Sequence, residues 1–295
     1  MSPIPQSLRS ESAAAQDAFL FVQSLAAELS SGQVELPGFP DIVARVQHVL
    51  ADDNVGTDKV VRVVGSEPVL TARLLQMANS AALNISGKPV VDLRAAVTRV
   101  GLNVVRSSTI AFATQQLARS PMLKGLEKPL EALWERTTLV AALCYVVARR
   151  LTNVNADAAM LAGLLHSIGR LYILTRASRH RALFNDAASY HAIERDWHLG
   201  IATALLENWH VPDEIVSAVR DCEDLAREPR GGVNLTDVLV AASLIALHKD
   251  QPDMLEARMM SVKPVARMQI NATVCEALLN QSADEIAALR EALSI

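Results

Sequence analysis

Residues 162–171 read AGLLHSIGRL, a short string in which His166 and Ser167 stand side by side in a mostly apolar run. Apolar residues at helical spacing extend from it in both directions and predict a helix over about 156–175. A lone histidine on a helix rich in Ala and Leu is more often a core residue, hydrogen-bonded to a neighbour, than a metal ligand. The string therefore predicts a buried helix with a polar centre.

The composition of the whole chain points the same way. Apolar residues make up 51% of the 295 residues and aromatic residues 4%, which is typical of helical cores built from Ala, Leu and Val. We therefore expect an all-α fold. The chain carries 28 Lys and Arg against 32 Asp and Glu, a formal charge of −4. Such a balance gives no general attraction for phosphate backbones, so nucleic acid is an unlikely partner.

Three features bear on where the protein works. Its cysteines, Cys144, Cys222 and Cys275, are odd in number and far apart, which favours free thiols in a reducing compartment. The amino terminus lacks the charged and apolar regions of a secretory signal. The apolar runs that begin at Leu139 and Val238 are about half the length of a membrane-spanning helix. We expect a soluble, cytoplasmic protein that does not enter a membrane.

The chain divides into four parts by its breaker residues. Residues 1–15 are polar, without a periodic apolar face, and predict a flexible tail. Short helices follow, punctuated by Gly101, until the Ser120-Pro121 step and the KGLEKP segment predict a boundary. The helices beyond it are longer. We therefore assign an amino-terminal helical subdomain to 16–120, a second helical subdomain to 121–250 and a carboxy-terminal helical extension to 251–295.

The AGLLHSIG string resembles the signature of the HD superfamily, in which a histidine is followed at once by a metal-binding aspartate. Other motifs occur in a matching order over about 20–250: LPGFPDI from Leu36, SEPVLTARLLQMANSAAL from Ser66 and LLENWHVP after His198. Together they resemble the HDOD family, the HD-related output domains of bacterial signalling. This resemblance implies an amino-terminal helical subdomain packed on a degenerate HD-like subdomain at 121–250, with a regulatory role.

The resemblance also implies where a degenerate pocket lies. The first metal histidine of an active HD enzyme falls near Arg136, the aspartate of the signature on Ser167 and the final metal aspartate near Ser243. Two family histidines fall on Cys222 and Glu223 instead. His166 and His198 remain, with Glu194 one turn before His198. The candidate pocket residues are therefore His166, Ser167, Glu194, His198, Cys222, Glu223, Arg136 and Ser243.

A neutral serine hydroxyl is a poor ligand for a divalent cation, so the ligand set lacks charge at its centre. We expect a non-catalytic signal-transduction protein with no metal and no cofactor, acting on other signalling proteins in trans. A small ligand, including a nucleotide, is a possible occupant of the pocket. Two alternatives stay open: a metal-dependent phosphohydrolase or phosphodiesterase with a rearranged site around His166 and His198, and a binding module for a nucleotide second messenger.

Two further sets of residues are candidates for ligand or partner contacts. Arg176, Arg179 and Arg181 lie around the SRHRALFN segment, which we expect to flank the pocket, and guanidinium groups bind phosphates and carboxylates. Asn79 and Ser80 match a family pair at a helix end, where short polar side chains commonly bond free backbone groups. Recognition of a signal is the alternative role for that pair.

Overall fold

A computed structural model describes residues 6–32, 34–36, 40–52, 54–80, 82–84 and 87–294, and all its regular structure in these ranges is helical. The all-α prediction is confirmed. The α-helices are α1 Gln6–Ser31, α2 Asp41–Leu50, α3 Thr57–Val64, α4 Pro68–Asn79, α5 Leu93–Ala118, α6 Glu127–Leu151, α7 Ala156–Leu165, α8 Ile168–Ala177, α9 Ala187–Asn208, α10 Asp213–Asp221, α11 Leu235–His248, α12 Pro252–Ser261, α13 Lys263–Ala266, α14 Ala272–Gln281 and α15 Ala283–Ser294. Short 3₁₀ helices cover Pro121–Leu123 and Arg181–Asn185.

Helix α1 begins inside the predicted tail. Residues 6–15 form its first turns, so this part of the tail is helical, while residues 1–5 lie outside the described ranges. Further along the helix, Phe21 and Leu25 are buried, and α1 packs against α9 and the 3₁₀ helix Arg181–Asn185. Burial of one apolar face is what stabilises a helix in this position.

The amino-terminal half is centred on α5, which packs against α2, α3 and α4. Gly101 bends α5 with φ 78°, a backbone conformation that side-chain-bearing residues rarely adopt. The punctuation predicted at this glycine is therefore present as a kink. Of the LPGFPDI motif, residues 37–39 lie outside the described ranges.

The AGLLHSIG string brings two pairs of helices into close contact through two glycines. A Cβ on Gly163 would lie 2.6 Å from the Ala141 Cα of α6, and a Cβ on Gly169 would lie 2.8 Å from the His198 carbonyl carbon of α9. Neither distance is possible between real atoms, so only glycine allows these backbones to approach. The string thus positions α7 on α6 and α8 on α9.

The single helix predicted over 156–175 is wrong, because the chain turns at His166 and Ser167 between α7 and α8. The Nδ1 atom of His166 lies 2.6 Å from the Gly163 carbonyl oxygen, which would otherwise accept from the next turn of the helix. A side chain that bonds a backbone carbonyl in this way competes with helix propagation. The turn directs α8 onto α9.

The carboxy-terminal helix returns to the centre of the fold. Helix α15 packs on α6, α5 and α4, and its Glu285 accepts from Arg149 at 2.7 Å and Arg150 at 3.0 Å. One cluster of buried apolar residues runs from Phe21 to Leu293. The predicted subdomain boundaries are therefore not marked by separate cores, and the four-part division stays a prediction.

The segment Ala156–Ala177 is long and apolar enough to cross a membrane, and 94% of its most apolar window is buried inside the fold. The longest uninterrupted apolar runs begin at Leu139 and Val238, since the polar pair His166 and Ser167 interrupts this segment. Its burial is what the core helices of soluble proteins show.

Candidate functional site

A cavity of about 630 Å³ opens between α6, α8, α9, α11 and the end of α10. It brings together seven of the eight pocket residues named from the sequence: Arg136, His166, Ser167, Glu194, Cys222, Glu223 and Ser243. The eighth, His198, is 1% exposed and lies behind the wall, where it bonds to Glu223. Residues up to 107 positions apart in the chain, Arg136 and Ser243, thus share one site.

His166 lies at the inner end of the cavity as a neutral imidazole. A carbonyl can only accept, so Nδ1 carries the proton that it donates to the Gly163 oxygen. Burial lowers the pKa of His166 to about 4, and the nearby charge of Arg170 adds to this. At neutral pH the Nε2 atom therefore has a free lone pair.

A pair of buried hydroxyls occupies the position where the HD signature has its aspartate. The oxygens of Ser167 and Thr137 lie 2.5 Å apart. Thr137 donates its own proton to the Leu133 carbonyl oxygen at 2.7 Å, so Ser167 is the donor between the two hydroxyls. Both hydroxyl protons are therefore donated, and the pair brings no negative charge to the cavity.

A guanidinium that the sequence analysis did not single out joins the site. Arg170 Nη2 lies 2.5 Å from Glu223 Oε1 and 3.1 Å from His198 Nε2, and Glu223 Oε2 lies 3.1 Å from the same Nε2. The hydrogen bond from His198 and the charge of Arg170 lower the pKa of Glu223 to about 2. His166 lies in the turn before α8, so helical spacing does not relate it to Arg170, and no local signal in the sequence pairs Arg170 with residues 28 and 53 positions away.

Cys222 does not contribute a thiolate. It is buried, and its thiol donates to the Val219 carbonyl oxygen at 3.1 Å. Burial and the neighbouring charge of Glu223 raise the pKa of Cys222 to about 12. The sulfur therefore remains a protonated thiol at neutral pH, whereas a metal ligand has to be deprotonated.

The remaining charged groups lie near the cavity mouth. Arg136 is exposed, and it makes no hydrogen bond or ion pair with any residue that the structure describes. Partial burial and the charge of Arg170 lower its pKa. Glu194 Oε2 lies 3.6 Å from His191 Nδ1, and burial together with the Glu194 charge raises the pKa of Tyr190.

This donor set does not fit a divalent metal. Within the described ranges no group of three or more His, Cys, Asp or Glu side chains is arranged to hold one. Of the charged donors, Glu223 is bonded to Arg170, and the Arg170 cation also lies beside His198. A fixed guanidinium next to the imidazole and the carboxylate repels a second cation from these two groups.

The basic segment around SRHRALFN flanks the cavity without lining it, since its Phe184 ring lies 5.2 Å, between centroids, from the ring of the lining residue Tyr190. The 3₁₀ helix Arg181–Asn185 packs against α1, and Arg176 donates to Glu28 at 2.5 Å while lying over the Tyr172 ring. Arg181 donates to the Lys124 carbonyl oxygen at 3.3 Å, and Arg179 is exposed. Glu28 could not have been identified as a partner, because it is 148 positions from Arg176 in the chain.

Asn79 and Ser80 have the structural role that their helix-end position predicts. Asn79 donates to the Leu75 carbonyl at 2.9 Å and to the Val90 carbonyl at 2.8 Å, and accepts from Val90 N–H at 2.7 Å. Ser80 donates to the Met77 carbonyl at 2.8 Å. The pair ends α4 and attaches the following loop to it.

The comparisons with known proteins agree with this architecture. A family model described as the HDOD domain matches residues 36–225. A crystal structure from Shewanella amazonensis SB2B, named "Putative metal-dependent phosphohydrolase", is 24% identical with a TM-score of 0.73, and the match covers 94% of this chain and 99% of that one. An HDOD domain protein with unknown function from Geobacter sulfurreducens is 26% identical with a TM-score of 0.64, and the match covers 91% and 97%.

One relative was also found among the curated proteins. An uncharacterized protein of Treponema pallidum (strain Nichols) is 22% identical over 221 residues, which are 70% of this chain and 41% of that protein. The chain therefore spans less than half the length of this relative.

Proposed function

Since the chain belongs to the HDOD domain family, we propose that it is a regulatory protein of bacterial signalling that catalyses no phosphohydrolysis of its own. Its partners are other signalling proteins that it contacts in trans in the cytoplasm. In this proposal the HD-like half keeps the helical frame and the cavity of a hydrolase, while the groups that would hold and charge a metal are changed.

The position of Arg170 carries the proposal. Its guanidinium lies within 3.1 Å of both His198 and Glu223, the imidazole and the carboxylate best suited to ligate a metal. A metal that activates water needs these donors free and an open coordination position. Arg170 instead supplies a permanent positive charge that cannot lower the pKa of a water in the way that a metal ion does. The geometry favours a fixed ion-pair network over a catalytic centre.

Turnover assays test this proposal. Protein purified without chelator and supplied with Mn²⁺ should hydrolyse neither p-nitrophenyl phosphate, bis-p-nitrophenyl phosphate nor a cyclic dinucleotide above the Mn²⁺ blank. The reason is that no bound hydroxide can form at this donor set. The assay covers both monoesters and diesters, the two substrate classes that the alternative enzymatic interpretation implies.

Variants of the cavity separate genuine activity from contamination. Hydrolysis that disappears in both Glu223→Gln and His166→Gln, while each variant keeps its helical circular dichroism, would overturn the proposal in favour of a phosphohydrolase with a rearranged site. Hydrolysis that persists unchanged in both variants comes from another protein in the preparation and agrees with the proposal.

A further inference from the structure

We propose that the cavity binds a small amphipathic anion, a molecule with one carboxylate or phosphate group on an apolar body, and that Arg136 binds its charged group. This inference rests on the proposed function, because it requires that neither metal nor reacting substrate occupy the cavity. It narrows the unspecified ligand of a signalling domain to one chemical class.

Arg136 is the guanidinium of this cavity that makes no hydrogen bond or ion pair with the residues described. Arg170 is already bonded to Glu223 at 2.5 Å, whereas no described carboxylate lies within the 4.0 Å of an ion pair to Arg136. A guanidinium presents its donors as a planar fork that matches the two oxygens of a carboxylate or a phosphate. The group is therefore available for a ligand that enters from the mouth.

Part of the cavity wall is aliphatic. It includes the side chains of Leu133, Leu174, Leu225, Val240, Leu244 and Leu247. Two of them remain open to solvent at the rim, since Leu225 is 38% and Leu247 is 55% exposed. Covering exposed leucines with the body of a ligand is favourable by about 25 cal/mol for each Å² removed from water. The wall thus selects an apolar body behind the charged group.

The charges around the cavity favour a ligand with one anionic group. The carboxylates of Glu194 and Glu223 line the cavity together with the guanidiniums of Arg136 and Arg170. A polyphosphate or a dinucleotide would bring a second phosphate group towards these carboxylates, with one guanidinium outside an ion pair to receive it. A ligand with a single anionic group meets Arg136 without that excess repulsion.

The volume of the cavity and the acceptors at its inner end further define the ligand. A cavity of about 630 Å³ is within the range of small-molecule sites and too small for a folded partner. At its inner end the neutral His166 offers the lone pair of Nε2, and the Ser167 oxygen can accept because its proton is donated to Thr137. These acceptors suit a hydroxyl or amide N–H on the ligand body.

Calorimetric titration with octanoate, octyl phosphate and octanol tests the proposal on the full chain. We expect octanoate or octyl phosphate to bind with one equivalent, and octanol, which lacks the charge, to bind at least ten-fold more weakly. Arg136→Gln should weaken binding of the anion at least ten-fold, since it removes the fork but keeps a side chain of similar reach. Arg179→Gln, an exposed arginine outside the cavity, is the matched control and should leave affinity unchanged.

The outcomes are distinct from those of the turnover assay, because binding is measured without hydrolysis. Binding of octyl phosphate alone identifies a phosphate monoester as the source of the charge, and binding of octanoate alone identifies a carboxylate. The proposal is overturned if neither anion binds, if octanol binds as tightly as both, or if Arg136→Gln binds like the wild type. Cyclic di-GMP, which carries two phosphate groups, is the comparison ligand, and tighter binding of it than of octanoate and octyl phosphate would also overturn the proposal.

Discussion

Replacement of Gly169 by alanine should destabilise the protein by about 3 kcal/mol or more, the upper range for overpacking a close contact. The added Cβ would overlap the carbonyl oxygen of His198 and lie 3.1 Å from the Ala202 nitrogen. These atoms belong to the α9 backbone, so no side chain can rotate away and the two helices have to separate. Separation would also move His198 away from Arg170.

Gly200→Ala is the matched control, since Gly200 lies on the same helix α9 with nothing within 4 Å of its added Cβ. Alanine there should stabilise the protein by about 0.5–1 kcal/mol, because glycine loses more backbone entropy in a helix. Urea denaturation of both variants gives the comparison. Equal stability of Gly169→Ala and the wild type would show that α8 and α9 do not approach as described.

The second large effect is a loss of stability in mild acid that depends on His166. Burial lowers the pKa of His166 in the folded protein to about 4, against about 6.5 in an unfolded chain. Below pH 6.5 the unfolded state therefore binds a proton that the folded state excludes. The free energy of unfolding decreases as the pH is lowered from 6.5 to about 4. Between pH 7 and pH 4.5 this linkage is worth about 2–3 kcal/mol.

Urea denaturation at these two pH values measures the effect. His166→Gln removes the titrating group, so its free energy of unfolding should change by about 2–3 kcal/mol less than that of the wild type over this interval. His191→Gln makes the same substitution at the rim of the cavity, where the side chain is 70% exposed, and should keep the wild-type difference. A wild-type difference retained in His166→Gln would contradict the neutral, buried imidazole. Three charged groups act on the pKa of this ring: Arg170 and Arg136 lower it, and Glu223 raises it.

Local signals in the sequence predict much of the fold. Helical spacing of apolar residues predicts α6 over 131–151, where the structure has Glu127–Leu151, and α11 over 236–248, where it has Leu235–His248. Gly101 predicts its own kink, because the conformation that it adopts is open mainly to glycine. Such features depend on residues a few positions apart.

The break between α7 and α8 could not be predicted in the same way. It depends on His166 bonding to the Gly163 carbonyl and on α9 approaching Gly169, and the second of these is a tertiary contact. An apolar helical pattern continues through the break, so periodicity alone gives one helix.

The candidate site, like the fold, could be predicted from the sequence only in part. Motif order is enough to name the residues that the fold brings to the cavity, but it says nothing about which of them bond to one another. The role of Arg170 follows from His198 and Glu223, which lie 28 and 53 positions away. The charge of Arg176 makes it a candidate for ligand or partner contacts, whereas its ion pair with Glu28 places it against α1. Long-range ion pairs leave no periodic trace in a single sequence.

Titration of the purified chain with Mn²⁺, followed by the electron paramagnetic resonance signal of the free ion, tests the central claim most directly. The guanidinium of Arg170 beside His198 and Glu223 predicts that the signal rises as in buffer, without an equivalent of tightly bound ion. Retention of one Mn²⁺ per chain, lost in both His198→Gln and Glu223→Gln, would contradict it.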